Sequence, residues 1–140
     1  MRFVSWNVNG LRAAIRKGID EYFQDLAADV VMLQETRTLE EQLPKDWSWP
    51  ASWTVSLHPA EKKGYSGVAT ATTLPHTVLA KGKGGELDPE DREGRVLVCE
   101  VGEVVCINTY LPSGSNKDER QRFKEDWMEE WRRFIRPYLD

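Results

Sequence analysis

Residues 2–34, RFVSWNVNGLRAAIRKGIDEYFQDLAADVVMLQ, decide how the fold begins. Arg2 to Val8 is rich in β-branched and aromatic residues and reads as a strand. Asn9-Gly10 breaks it, and a short helix is expected over Leu11–Lys17, stopping at Gly18. Ile19, Tyr22, Phe23, Leu26 and Ala27 then recur at helical spacing and make one apolar face. Asp29 precedes Val30-Val31-Met32-Leu33-Gln34, an apolar run that reads as a buried strand. The opening is therefore a β–α–β unit, which predicts parallel strands covered by helices.

Further along, Thr38 to Trp53 is loop-like, with Pro44, Pro50 and closely spaced tryptophans. Strands are expected at about Thr54–Leu57, Gly67–Thr73 and Thr77–Lys81, and a loop of glycine and charge from Lys81 to Arg92. Arg95–Val101 and Val104–Tyr110 are joined by Gly102-Glu103. A tight turn there makes a hairpin with Cys99 directly across from Cys106. Lys117 to Tyr138 reads as an amphipathic helix, because Phe123, Trp127, Trp131, Phe134 and Ile135 recur every three or four residues. Both hairpin strands are apolar at consecutive positions, so both of their faces need cover. Helices within the chain can cover one face, and a second sheet belongs on the other. The expected fold class is α/β: half of a layered α/β sandwich, a mixed sheet with helices on one face, the second sheet missing from this chain.

Composition narrows the class. The 140 residues make one domain at most, with 40% hydrophobic and 30% charged residues, as in soluble globular proteins. No apolar run approaches the ~20 residues of a membrane helix. The amino terminus has neither the apolar stretch nor the cleavage site of a secretory signal, so a cytoplasmic location and no membrane partner are expected. The two cysteines fit reduced core side chains. A net charge of −4 argues against a general nucleic-acid coater; any DNA contact must come from a local basic rim.

Three candidate sites stand at strand ends, where ligands of open sheets gather. Asn7 ends the first strand, and an Asn inside a strand run is poorly explained by propensity. Asn9 beside it reads as a turn residue or helix cap. Gln34-Glu35 ends the second strand; a glutamate leaving a buried strand is costly unless a positive charge meets it. A divalent cation would serve, since magnesium is at home with a single carboxylate and several waters. A salt bridge to Arg37 or another basic residue serves equally well. Asn108-Thr109-Tyr110-Leu111-Pro112 ends the last strand. The Tyr110 hydroxyl could meet a phosphate, or its ring could pack while its tip stays wet.

In context these segments resemble the exonuclease III family of abasic endonucleases, within the endonuclease/exonuclease/phosphatase superfamily. The resemblance rests on five blocks in order: Ser5-Trp6-Asn7-Val8-Asn9-Gly10-Leu11-Arg12-Ala13, Leu33-Gln34-Glu35-Thr36, Gly64-Tyr65-Ser66-Gly67-Val68-Ala69, Glu93-Gly94-Arg95-Val96 and Thr109-Tyr110-Leu111-Pro112. It implies that residues 1–140 are the N-terminal part of a single such domain, incomplete at the C-terminus. It makes Glu35 the ligand of magnesium, with manganese an acceptable substitute, and places Asn7 in the metal and hydrogen-bond network. Tyr110 becomes the hydroxyl next to the scissile phosphate. Arg12, Ala13, Lys17, Gly64, Tyr65 and Arg95 fall where the family touches the DNA backbone. The implied activity of the complete enzyme is magnesium-dependent phosphodiester hydrolysis at abasic sites in duplex DNA, in base-excision repair, with 3′-exonuclease activity as a companion.

The chain also departs from that family. Asn9 stands where some members carry Asp, Ser113 where many carry Asn, and the loop Gly114-Ser115-Asn116 lacks an arginine found in some. The family's later Gly-Asp-x-Asn and Ser-Asp-His motifs are absent, and His58 and His76 are expected at the surface. A superfamily phosphatase acting on a lipid or inositol phosphate ranks lower, because the blocks around Tyr65 and Arg95 favour the DNA branch. The alternative from another class is an inactive or split half-domain that binds DNA or a complementary half without catalysis. A C-terminal half or a dimer partner would then cover the sheet.

Overall fold

The computed structural model describes residues 1–115 and 117–139, so Asn116 of the Gly114–Asn116 loop lies outside the described residues. The two strands of the opening segment pair as the sequence predicts. Strand β1 (Phe3–Asn7) runs parallel to β2 (Val30–Gln34), with Phe3 opposite Val30 and Asn7 opposite Gln34. Helices α1 (Leu11–Arg16) and α2 (Ile19–Asp25) lie between them in sequence. The sheet continues antiparallel through β4 (Val68–Thr72) to β3 (Thr54–His58), in the order β1-β2-β4-β3.

Alternation divides this sheet's side chains between two cores. Val31, Leu33, Ala69 and Ala71 pack with Leu11, Ile19 and Phe23 of the helical layer, while Val30 and Val68 belong to a second cluster on the opposite face. The 38–53 segment holds only a short 3-10 turn, yet its tryptophans complete the first core. Trp53 meets the Phe23 ring edge-on at 4.9 Å between centroids. Tyr22, counted on the apolar face of α2, is instead half exposed and touches Trp6 edge-on at the margin of that core.

The expectation that the second sheet is missing from this chain is corrected. Strands β5 (His76–Lys81), β6 (Val96–Val101) and β7 (Val104–Thr109) form a separate antiparallel sheet in the order β5-β6-β7. Its inner face, Leu97, Cys99, Val101 and Cys106, packs against Val30 and Val68 of the first sheet. Its outer face, Val96 and Val98, packs under α3 (Asp118–Ile135), whose Trp127 is 1% exposed. The consecutive apolar residues of the hairpin thus have a physical reason: one face meets a sheet and the other a helix. Each such fully buried aliphatic side chain contributes about 1.5–3 kcal/mol. The layers run helix, sheet, sheet, helix.

Other details follow the sequence closely. Cys99 and Cys106 face each other across β6 and β7, free and buried, and burial pushes the Cys99 thiol up to about 11. Lys83 of the 81–92 loop is buried against Glu130 of α3 and lies over the Trp127 ring, which ties that loop to the outer helix. The histidines are a second correction. His76 opens β5 with its ring nitrogens 3.2 Å and 2.8 Å from the hydroxyls of Thr54 and Ser56 in β3. His58 is half-buried, its Nε2 has no partner among the described residues, and desolvation lowers its pKa. Neither is a free surface residue, because β5 begins against β3. No helix among the described residues is long and apolar enough to cross a membrane.

Candidate active site

Where β1, β2 and β7 end, the backbone stays hydrogen-bonded while it leaves the sheet. Residues 35–37 thread between two neighbours: Gly10 and Leu11 donate to the carbonyls of Glu35 and Thr36 at 2.8 Å. Thr36 and Arg37 donate to Gly67 at 3.1 Å and Ser66 at 2.8 Å. Glu35, Arg37, Ser66 and Asn9 all take left-handed φ angles, at 53°, 53°, 48° and 47°. Non-glycine residues there cost of order 1–3 kcal/mol each, and such strain gathers at functional sites. Two glycines of the quoted blocks make the close packing feasible. A Cβ on Gly67 would lie 2.3 Å from the Thr36 hydroxyl, and one on Gly94 would lie 2.5 Å from the Pro59 backbone.

This backbone brings Asn7, Glu35 and Tyr110 together. Asn7 Nδ2 donates to Glu35 Oε1 at 3.0 Å, and the Tyr110 hydroxyl donates to the same oxygen at 2.6 Å. Arg37 Nη2 donates to the other oxygen, Oε2, at 2.7 Å. The salt bridge weighed from sequence is therefore present within the candidate site itself. These donors, Asn7 first, then Tyr110 and more weakly Arg37, outweigh desolvation and hold the Glu35 carboxyl below the usual carboxylate range. Burial, and then the Glu35 carboxylate, push the Tyr110 hydroxyl up to about 12, so it is neutral near pH 7.

A buried amide bridge lies under the cluster. Asn108, 1% exposed, donates to the carbonyls of Leu33 at 3.1 Å and Ala69 at 2.8 Å, and accepts from Gln34 Nε2 at 2.9 Å. Gln34 precedes Glu35, and Asn108 is two residues before Tyr110. The bridge thus ties the two sheets at the point where their site residues emerge. Both amides lie in segments that the sequence singles out, but nothing in the sequence shows that they meet.

The residues expected at the DNA backbone divide into two groups. Arg12, Ala13 and Gly64 line an open cleft of about 420 Å³ beside Glu35, together with Arg16, Thr36 and Arg37. Lys17 borders an adjoining pocket of about 210 Å³ walled by Trp6, Val8, Ile19 and Tyr22. Tyr65 and Arg95 meet beside Tyr110. Arg95 is 4% exposed; it donates to Tyr65 Oη at 2.6 Å, Glu93 Oε2 at 2.7 Å and the Tyr110 carbonyl at 3.3 Å. Its guanidinium carbon also sits 5.2 Å from the Tyr110 ring centroid. Arg95 is thus not an open surface cation. Sequence reasoning passed over Arg16, although its position four residues after Arg12 puts both on one helix face.

The donor set fits a hard divalent cation. Glu35 Oε2 and Asn7 Oδ1 are oxygens, the latter already accepting from Asn9 N at 3.0 Å, and a guanidinium already supplies positive charge to Oε2. Among the described residues no three His, Cys, Asp or Glu side chains gather as a metal cluster. Magnesium, which keeps several waters and needs one or two carboxylates, suits such a site better than zinc.

Two stacked sheets between helical layers define an α/β sandwich, with a carboxylate and the arginines of the cleft at one end. Residues 4–139 match the Endonuclease/Exonuclease/phosphatase family, and the chain belongs to that family. It is 35% identical over 130 residues to an exodeoxyribonuclease of Bacillus subtilis, a match covering 92% of this chain and 50% of that protein. It is 29% identical to a DNA-(apurinic or apyrimidinic site) endonuclease of Dictyostelium discoideum, over 100% of this chain and 37% of the relative. Among solved structures, a 3′-5′ exonuclease from Neisseria meningitidis superposes with a TM-score of 0.79 at 24% identity. That match covers 99% of this chain and 53% of the other. The chain spans about half the length, or less, of these relatives.

Proposed function

We propose that the protein containing this chain hydrolyses phosphodiesters of duplex DNA at abasic sites, and that residues 1–140 supply the metal-binding half of its active site. The observation that carries this reading is the meeting of Asn7, Glu35 and Tyr110 on one carboxylate oxygen, beside a cleft lined by Arg12, Arg16 and Arg37. Glu35 and Asn7 are the residues that would hold magnesium, or manganese in its stead, and the ion supplies Lewis-acid polarisation of the phosphate. Tyr110, neutral over the working pH range, has a hydroxyl proton to offer a phosphate oxygen. Arg12, Ala13, Gly64 and, from the next pocket, Lys17 hold backbone phosphates without reading bases. Arg95 acts through Tyr65 and Tyr110 rather than on DNA directly. Turning an abasic sugar out of the helix costs least where no base is stacked, which favours that substrate. The names of the Bacillus and Dictyostelium relatives support exonuclease and abasic-site chemistry.

The Asp of the family's Gly-Asp-x-Asn motif, a base or water orienter, and the His of its Ser-Asp-His motif, which steadies the transition state, come in this reading from outside the chain. Strands β1 and β7 are each paired on one side only among the described residues, which offers two edges to a complementary half. The same observation favours a second reading, a split half-domain that binds DNA without cutting it. An end-labelled abasic duplex incubated with the chain, in magnesium and then in chelator, separates the two. No incision alone, followed by magnesium-dependent incision on adding the complementary half, is the expected result. No incision in any combination would favour the binding half-domain.

A further inference from the structure

Glu35 has one oxygen that is saturated and one that is guarded. Oε1 accepts from both Asn7 and Tyr110, at 3.0 Å and 2.6 Å, which uses the acceptor directions a cation would need. Oε2 accepts from Arg37 alone, at 2.7 Å. A divalent ion arriving at Glu35 must therefore take Oε2, and two positive charges cannot share that oxygen closely. Arg37 has somewhere to go. Its side chain is 45% exposed and already borders the 420 Å³ cleft with Arg12 and Arg16. Its backbone is pinned by the 2.8 Å bond to Ser66, so the movement is one of the side chain only.

We infer that Arg37 is an exchange residue: it caps Glu35 when no metal is bound, and metal entry transfers its guanidinium to a phosphate of the DNA in the cleft. This rests on the proposed function and adds to it a reason for metal and DNA to bind cooperatively. In the metal-free chain Arg37 competes with the ion for Glu35. With the ion in place, the same charge joins Arg12 and Arg16 on the nucleic acid. Linkage requires the effect to be reciprocal: metal tightens DNA binding by the factor by which DNA tightens metal binding.

Binding measurements on the full chain test this without any turnover. Manganese is titrated calorimetrically into the wild type, Arg37→Asn, Arg37→Lys and Glu35→Gln. Asn is chosen because it tolerates the left-handed backbone at position 37. Anisotropy of a labelled abasic duplex is then read with each variant, with manganese and with chelator. Arg37→Asn is expected to bind manganese about tenfold more tightly than the wild type without DNA. The enhancement of DNA binding by manganese should also fall by about fivefold or more, within the usual range of coupling between sites. Arg37→Lys, which keeps the charge, should retain most of that enhancement. Arg37→Asn with unchanged manganese affinity and unchanged enhancement would overturn the exchange, provided that Glu35→Gln has lost manganese binding. Glu35→Gln that still binds manganese like the wild type would instead overturn the metal-site reading, so the two failures are distinct.

Discussion

The space between the two sheets has two ends built on opposite principles. Toward the hairpin turn, Val30, Cys99, Val101 and Cys106 meet as a largely apolar layer. Toward the strand ends, Gln34, Asn108, Glu35 and Tyr110 meet through hydrogen bonds of 2.6–2.9 Å between Gln34 and Asn108 and between Tyr110 and Glu35. The apolar end supplies non-directional stabilisation and tolerates small shifts. The polar end fixes distances, because a buried amide or carboxylate displaced from its partners is penalised steeply. Stability and position are thus separable in this fold, and substitutions at the two ends should have different signatures.

The largest contrast concerns chemistry. In the complete protein, Glu35→Gln should nearly abolish incision, a loss of several kcal/mol in transition-state stabilisation, the scale of losing a Lewis acid. Its unfolding free energy should change far less. Steady-state kcat/KM at limiting magnesium is the measurement, and undiminished cutting would sink the metal assignment. At the apolar end the signature should invert. Val101→Ala, beside the turn, should lower stability in urea by about 1–3 kcal/mol while the folded protein cuts at its former rate. A comparable loss of kcat there would show that the two ends are not independent.

Asn108→Leu should fall between them. It removes the amide that meets the carbonyls of Leu33 and Ala69, at about 1–3 kcal/mol in denaturant unfolding. It should also loosen the Glu35–Tyr110 contact, read as a fall in the Tyr110 ionisation pH in ultraviolet titration against a Tyr110→Phe control. The smallest effects are those of pH. Because the folded pKa of Tyr110 is raised to about 12, its contribution to stability is complete below the unfolded value of about 10. That contribution disappears as pH rises toward 12. Glu35 works in the opposite sense, contributing above the ordinary carboxylate range and losing its contribution as pH falls through its lowered value. Wild type and Tyr110→Phe should therefore converge in stability at the alkaline end, and parallel curves through pH 10–12 would argue against the contact.

Much of the fold was legible because its signals are local. The 2–34 segment carries its own strand, helix and strand, and the two-residue turn at Gly102-Glu103 fixes the Cys99–Cys106 register. What periodicity does not encode is which surface faces a buried strand. The hairpin's apolar run showed that two covers were needed, but not that β5–β7 form the opposing sheet themselves. The site divides likewise. Asn7, Glu35 and Tyr110 are readable as polar residues at strand ends, and the family blocks supplied their roles. Arg95 stands in a family block, but its burial is not readable there, because it depends on Tyr65, Glu93 and Tyr110 arriving from distant or irregular segments. Arg37 was weighed only as a salt-bridge partner, since no sequence pattern reports that the same side chain also borders a cleft.

The distribution of tryptophans gives the molecule two separate optical reporters. Trp6, Trp47, Trp49 and Trp53 belong to the core under α1 and α2, while Trp127 and Trp131 belong to the core under α3. Trp47 and Trp49 lie 4.8 Å apart at 69°, close enough for their indole transitions to couple and give a paired circular-dichroism band. Trp127 carries the Lys83 ammonium 5.2 Å above its ring, which sets its emission apart from the rest. A melt followed at both signals would show whether the outer helix and the tryptophan-rich face come apart together or in sequence.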